Sequence, residues 1–292
     1  MLEFYKTFED GTRRIAEPEP GCWINAVAPT EEERNFLIEQ IGILPEFVKS
    51  SLDEEESSHI DYDDDFRQVL IIFDYPSAEN EDDDSIDSTY STLPIGIVIL
   101  KGYVVTISLY ENWSILEMSQ GRIKGMDTRL KTRFFLLLAL RISQRFLICL
   151  RQIDRLSSRT ETRLHQSVEN DELIEMLGLE KSLVYFSTSL KSDEVTLSKI
   201  MRGKQIQLYE EDEDLLEDVM IEIHQAIEMC NIYSNTMAGT MDTFASIISN
   251  NMNIVMNKLT VITIVMAIPN IIFGFYGMNV QLPFPFVWFP SF

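Results

Sequence analysis

Leu259-Thr260-Val261-Ile262-Thr263-Ile264-Val265-Met266-Ala267-Ile268-Pro269-Asn270-Ile271-Ile272-Phe273-Gly274-Phe275-Tyr276 contains no charged residue. Its length sits near the lower limit for crossing about 30 Å of hydrocarbon, and uncharged polar residues extend it backwards. Between Thr243 and Phe292 the only charge is Lys258. A single charge held in hydrocarbon costs several kcal/mol, so a run this free of charge reads as a membrane span. Tyr276, Trp288 and several Phe and Pro residues after it suit a membrane–water interface. A buried core helix is the alternative, but no other part of the chain is apolar enough to wrap it.

The span is not uniformly apolar. Asn253, Asn257, Thr260, Ala267 and Gly274 lie near one face at helical spacing, and Asn270 adds another amide. A polar stripe on a spanning helix must meet other protein or water. A helix bundle satisfies it, and so does a pore.

Ahead of the span, Leu216, Met220, Ile223, Ile227, Cys230, Ser234, Met237, Met241, Phe244 and Ile248 step alternately by four and three. That is a heptad seam, as in a coiled coil. No Pro or Gly cluster separates it from the apolar run. A helix from about Asp212 to Tyr276 would be about 100 Å long at about 1.5 Å per residue. No compact globule of this size needs such a rod.

The rest of the chain reads as mixed α and β. Val69–Phe73, Ile95–Leu100 and Tyr103–Ile107, the last set off by Lys101-Gly102, are short runs rich in branched residues and predict strands. Thr30 followed by Glu31, Glu32 and Glu33 predicts a helix start, with a hydroxyl cap and acids in the first turn. The acidic stretch Glu79 to Asp87 predicts a loop between strands. From about Thr128 to Ser187 helical spacing prevails, with Gly178 as the expected weak point, and a short separate helix is expected around Ser192–Arg202.

Composition limits the function. The formal charge of −23, from 47 acidic and 24 basic residues, repels a phosphate backbone and excludes nucleic acid as a partner. The same field attracts cations. Cys22, Cys149 and Cys230 form no CxxC pair, so neither a disulfide framework nor a zinc knuckle is indicated, and a reducing compartment fits. The N-terminus lacks the apolar core of a signal peptide, which predicts a cytoplasmic N-terminal part. No Walker loop, dinucleotide glycine pattern or nucleophile elbow points to an enzyme, and His165 is read as a surface or interhelical residue.

Immediately after the span stands Gly277-Met278-Asn279. With Pro269 and Gly274 before it, the long heptad-bearing helix, and the stretch Ser249 to Thr260 leading into the span, this resembles the Gly-Met-Asn signature of the CorA-type Mg²⁺ transporter family of the metal ion transporter superfamily. The resemblance covers essentially the whole chain and is most specific after about Asp212. It implies an α+β membrane protein with an N-terminal α/β/α cytoplasmic domain, a stalk helix continuing into a transmembrane pore helix, and a homopentamer in the plasma membrane. Gly277, Met278 and Asn279 would form the selectivity filter at the external mouth. Asn253, Met256, Leu259, Ala267, Asn270 and Gly274 would face the pore, with Met256 and Leu259 as an apolar gate. Asp218 matches the stalk acid that binds regulatory Mg²⁺ between subunits, its partner an acid near Glu79–Asp84. Mg²⁺ would be both cargo and regulator. It gives up its water reluctantly and prefers octahedral oxygen, so the amide oxygen of Asn279 could select the hydrated ion while binding it weakly enough to release it.

The expected divisions are 1–125 for the mixed α/β core, 126–211 for its helical part, 212–258 for the stalk, 259–276 for the pore helix and 277–292 for the external loop. Val280 to Phe292 holds Pro283, Pro285 and Pro290 and no second span, where the family has another hydrophobic helix; a chain shortened before that helix is the expectation. Two other readings stay open. One is a Zn²⁺ or Co²⁺/Ni²⁺ transporter of the same fold, although His59, His165 and His224 are scattered. The other is a membrane-anchored coiled-coil scaffold that transports nothing.

Overall fold

The three expected strands form neighbouring members of a seven-stranded sheet. In chain order the strands are β1 (Leu2–Phe8), β2 (Gly11–Ile15), β3 (Trp23–Val27), β4 (His59–Asp63), β5 (Gln68–Ala78), β6 (Tyr90–Leu100) and β7 (Tyr103–Ser108), arranged β2-β1-β3-β7-β6-β5-β4. Among the described residues only β3 and β7 pair in parallel, and the other pairs are antiparallel. The computed structural model describes residues 1–9, 11–78, 89–166, 170–203, 206 and 208–277. The acidic stretch expected as a loop, Glu79 to Asp87, lies outside them.

Both faces of the central strands are covered, which is why β5 and β6 read as continuous apolar runs rather than alternating ones. On one face, Leu70, Ile72, Val98, Val105 and Ile107 pack with Leu37, Ile41, Ile43, Phe47 and Val48. Leu37 and Ile41 belong to the π-helical turn Leu37–Ile41 that continues α1 (Glu31–Phe36), Ile43 to the link after it, and Phe47 and Val48 to α2 (Pro45–Ser50). Thr30 caps α1 as its sequence predicts: its hydroxyl accepts from the Glu33 N–H and the Glu33 carboxylate accepts from the Thr30 N–H. On the other face Trp23 lies 5.1 Å from Phe134, and Phe73 lies 6.1 Å from Phe135, ring centre to ring centre. These phenylalanines belong to α4 (Lys131–Gln166), which follows the short α3 (Trp113–Ser119). In this layer the buried Trp23 indole donates to Thr106, whose hydroxyl donates to Asn25.

Two further long helices complete the layer, α5 (Asn170–Arg202) and α6 (Glu210–Tyr276). Helix α5 returns antiparallel along α4, through the Phe146–Phe186 ring contact and the Arg163–Glu175 ion pair. The beginning of α6 lies against both, with Gln144 reaching Glu222 and the Cys230 thiol reaching the Leu183 carbonyl. Of the predicted seam Leu216, Ile223, Ile227, Cys230 and Met237 are buried, Met220 and Ser234 are partly covered, and Val219 and Ala226 beside the seam are buried as well.

The helical stretch corrects two expectations. Gly178 does not interrupt α5, and Ser192–Arg202 is the end of that helix rather than a separate one. A Cβ at Gly178 would lie 3.0 Å from the Thr89 methyl group. The glycine therefore serves close packing beside the start of β6, and packing outweighs its cost of about 1 kcal/mol in helix propensity.

The chain divides into two compact units, Met1–Ala238 and Gly239–Phe292. The first holds the sheet and its two helical layers.

Candidate functional site

From Met252 to Phe275 in the second unit the large apolar side chains are exposed. Val255, Met256, Val261, Ile262, Val265, Met266, Ile271 and Phe273 are all exposed. Of the span's described side chains only Ala267 is partly covered. A water-soluble surface does not carry an unbroken apolar cylinder of this kind. Among the described residues, α6 is the one helix long and apolar enough to cross a membrane.

The polar side chains of this segment fall into two groups. Thr260 and Thr263 donate their hydroxyls back to the carbonyls of Met256 and Leu259, each at 2.8 Å, which satisfies them inside the helix. The amides of Asn253, Asn257 and Asn270 have no partner within the chain among the described residues. An amide left unpaired in hydrocarbon is expensive. These three must therefore meet another chain, water or an ion.

Of the expected pore-facing residues, Asn253, Met256, Leu259, Asn270 and Gly274 are exposed and Ala267 is half covered. Pro269 is accommodated within α6. At the end of the helix the Gly277 N–H donates to the Phe273 carbonyl at 2.9 Å, and a Cβ on Gly277 would approach that carbonyl to 3.0 Å. A bare glycine lets the last turn close tightly before the chain leaves the helix. Met278 and Asn279 lie outside the described residues, as do the acids near Glu79–Asp84 expected to partner Asp218. Asp218 itself is exposed on α6, between buried Leu216 and buried Val219. The two anchors fix its backbone while its carboxylate faces outward.

Two acids that the sequence reading passed over are buried in the first unit. Asp74 on β5 and Asp193 on α5 adjoin, the Asp74 N–H donating to Asp193 Oδ1 at 3.0 Å. Burial first, and then the neighbouring Asp74 carboxyl, push the Asp193 carboxyl well above the ordinary carboxylate range. The available signal was an acid within the apolar run Ile71-Ile72-Phe73-Asp74-Tyr75.

A sheet sandwiched between helical layers, and a long helix that ends in a charge-free apolar span with unpaired amides, define an integral membrane protein with a soluble N-terminal domain. The sequence model of the CorA-like Mg²⁺ transporter protein family matches residues 19–290. The cobalt/magnesium transport protein CorA of Methanocaldococcus jannaschii is 29% identical over 266 residues, covering 88% of this chain and 79% of its own. The complete structure of that magnesium transporter superposes with a TM-score of 0.82 at 24% identity, over 97% of this chain and 89% of the other. The full-length CmaX protein has the same fold, with a TM-score of 0.75 at 16% identity over 100% of this chain and 90% of its own. The chain belongs to the CorA-like Mg²⁺ transporter family. It is a membrane transporter of divalent cations and not an enzyme.

Proposed function

We propose that this protein is the subunit of a homopentameric channel that passes hydrated Mg²⁺ through the plasma membrane into the cell, with its N-terminal domain in the cytoplasm. The observation that carries the reading is the set of amides at Asn253, Asn257 and Asn270, unpaired within the chain on an otherwise apolar, charge-free helix. Copies of the helix around an axis would turn Asn253 and Asn270 inward, where water and ions are their partners, and would leave Asn257 to meet a neighbouring copy. In this arrangement Asn253, Met256, Leu259, Ala267, Asn270 and Gly274 line the pore, Met256 and Leu259 form the narrow apolar gate that excludes water, and Gly277, Met278 and Asn279 shape the outer mouth. Amide oxygen at Asn279 is a hard, neutral ligand suited to Mg²⁺ that keeps its water.

The regulatory half of the proposal rests on Asp218. An exposed carboxylate held rigidly on α6 can share a Mg²⁺ ion with an acid of the neighbouring subunit. Intracellular Mg²⁺ would then favour the closed arrangement by its higher affinity for that state, and its loss would favour opening. The M. jannaschii relative is named for cobalt as well as magnesium transport, so Co²⁺ is a second cargo to compare.

Ion flux into liposomes holding the full-length protein tests both halves. Asn279→Ala should abolish the preference for Mg²⁺ over Co²⁺, Ni²⁺ and Zn²⁺, and unchanged selectivity refutes the filter. Asp218→Ala should leave selectivity intact and remove inhibition by internal Mg²⁺; persistent inhibition refutes the regulatory role.

A further inference from the structure

A cleft of about 820 Å³ opens where the β4–β5 turn, the β6–β7 turn and the first turns of α4 and α6 come together. Arg67, Lys101, Arg129, Lys131 and Arg133 line it, against the acids Glu211 and Asp212. Five of the chain's 24 basic residues thus gather in one place on a molecule of net charge −23. Scattered charges need no explanation; a basic concentration against the sign of the whole molecule does.

Acids pair with two of the five bases and leave three without a carboxylate partner among the described residues. Asp212 is buried and accepts the Tyr209 N–H at 3.3 Å, and Glu211 pairs with Arg133 at 3.0 Å. Arg129 is held by Asp127, whose carboxyl that pairing draws below its ordinary value. Arg67 and Lys101 are exposed and have no acidic partner among the described residues. Lys131 is half buried, and its ammonium donates to the Leu100 carbonyl. Burial lowers its pKa, as expected where no carboxylate compensates it.

Arg67 supplies a second, independent observation. Its φ is +52°, in the left-handed region. Glycine or asparagine occupies such a turn position at least cost. An arginine held there at a strained backbone and directed to a cleft points to a task for its guanidinium. Tyr62 and Tyr209 add ring faces to the same lining.

We infer that this cleft binds a small polyphosphate anion, with Arg67, Lys101 and Lys131 as phosphate ligands and the tyrosines available to an attached base. Its size lies in the range of small-molecule sites. The guanidinium geometry suits bidentate phosphate contacts. The same chemistry would accept free polyphosphate, a nucleoside triphosphate or a multiply phosphorylated lipid headgroup. The inference is independent of which cation is carried. Since α6 starts in the cleft and also carries the span, an occupant would act on the helix that bears the transport segment.

Calorimetric titration of the full-length protein in detergent, free of divalent metal, with inorganic triphosphate and with ATP tests the site. Saturable binding should weaken at least about tenfold in Arg67→Asn combined with Lys101→Gln, each lost charge-assisted contact being worth about that factor. Arg67→Asn also relieves the backbone, so the melting temperature of the double variant should not fall. Lys49→Gln, an exposed lysine on α2, should bind as the unsubstituted protein does. Capture by phosphatidylcholine vesicles doped with a bisphosphorylated inositol lipid, lost in the double variant, supports the cleft and assigns the phosphates to a headgroup. Absence of saturable binding to all three probes, or equal binding by the double variant, overturns the inference.

Discussion

Between Met1 and Ala238 a core of large apolar side chains faces inward, with Trp23, Phe73, Phe134, Phe146 and Phe186 fully enclosed. From Met252 to Phe275 the same kinds of side chain face outward, Val265 at 58% and Phe273 at 73% exposure. Helix α6 belongs to both regimes. Its early turns carry a narrow apolar seam against α4 and α5, and its late turns are apolar nearly all round. A seam needs partners from the same chain, whereas an apolar cylinder needs an apolar solvent. Exposure within a single chain therefore carries opposite energetic meanings in the two units.

Truncating one aromatic residue in each unit gives the largest contrast. Phe186 is fully enclosed, with ring centres 5.0 Å from Phe146 and 6.0 Å from Tyr90. Phe186→Ala should cost the first unit about 3–5 kcal/mol through lost transfer energy and a residual cavity. Phe273→Ala should leave the same thermal transition in place. Melts of the detergent-solubilised protein, followed by tryptophan fluorescence, read both. Equal shifts would show that the two apolar regimes are not distinct.

Adding a charge reverses the contrast. Ile174 on α5 is 65% exposed and Val265 on α6 is 58% exposed. Ile174→Asp should change stability by no more than about 0.5 kcal/mol, as expected on a wetted surface. Val265→Asp should cost about 2.5–3.5 kcal/mol in hydrocarbon. The measurement is the fraction of each variant recovered in the membrane after expression. If both partition like the unsubstituted protein, the span reading fails.

The legibility of the sequence followed the same division. The span needed only its lack of charge, because hydrocarbon penalises every charge and so writes its constraint directly into composition. The seam from Leu216 to Met237 was legible because helical period and burial coincide there. The three central strands were legible from branched apolar runs. Strands β1, β2 and β4 were not, since Glu3, Lys6, Arg13, Arg14, Asp61 and Asp63 interrupt them and only pairing with neighbours defines them. Gly178 misled because its packing against Thr89 spans 89 positions in the chain, from 89 to 178, and leaves no local trace. The basic cleft was invisible for the same reason, its residues being drawn from four separate turns.

Asp193 sharpens the comparison through pH. Its carboxyl is fully buried and carries a pKa well above the ordinary 3.8. The folded protein thus holds that proton more tightly than the unfolded chain. This contribution is intact below the ordinary carboxylate pKa and is progressively lost as pH rises through the raised folded value. Asp193→Asn, whose amide oxygen can still accept the Asp74 N–H, should remove that slope and gain most over the unsubstituted protein at the upper end of the range. The check is the difference in melting temperature between the two proteins from pH 4 to pH 8. A difference that does not change with pH refutes the assignment. The exposed amides of the span should contribute nothing to it, because they do not titrate.

The smallest expected effect lies at the capping box of α1 and has the opposite pH sign. Burial raises the Glu33 carboxyl, but the N–H groups of Thr30 and Leu2 and the chain's terminal ammonium outweigh it, so its pKa is lowered from the ordinary 4.5. This stability is present above 4.5 and lost as pH falls through the depressed folded value. Thr30→Ala removes the hydroxyl that accepts the Glu33 N–H at 3.3 Å and should cost about 1 kcal/mol. Thr30→Ser should restore most of it, since the oxygen rather than the methyl group makes the cap. Because α1 leads directly into the π-helical turn whose Leu37 and Ile41 pack on the sheet, the loss should appear in the melt of the first unit. Partitioning of the protein into the membrane should be unchanged, and a Thr30→Ala variant that altered membrane recovery while leaving that melt intact would reverse the assignment of the cap to the first unit.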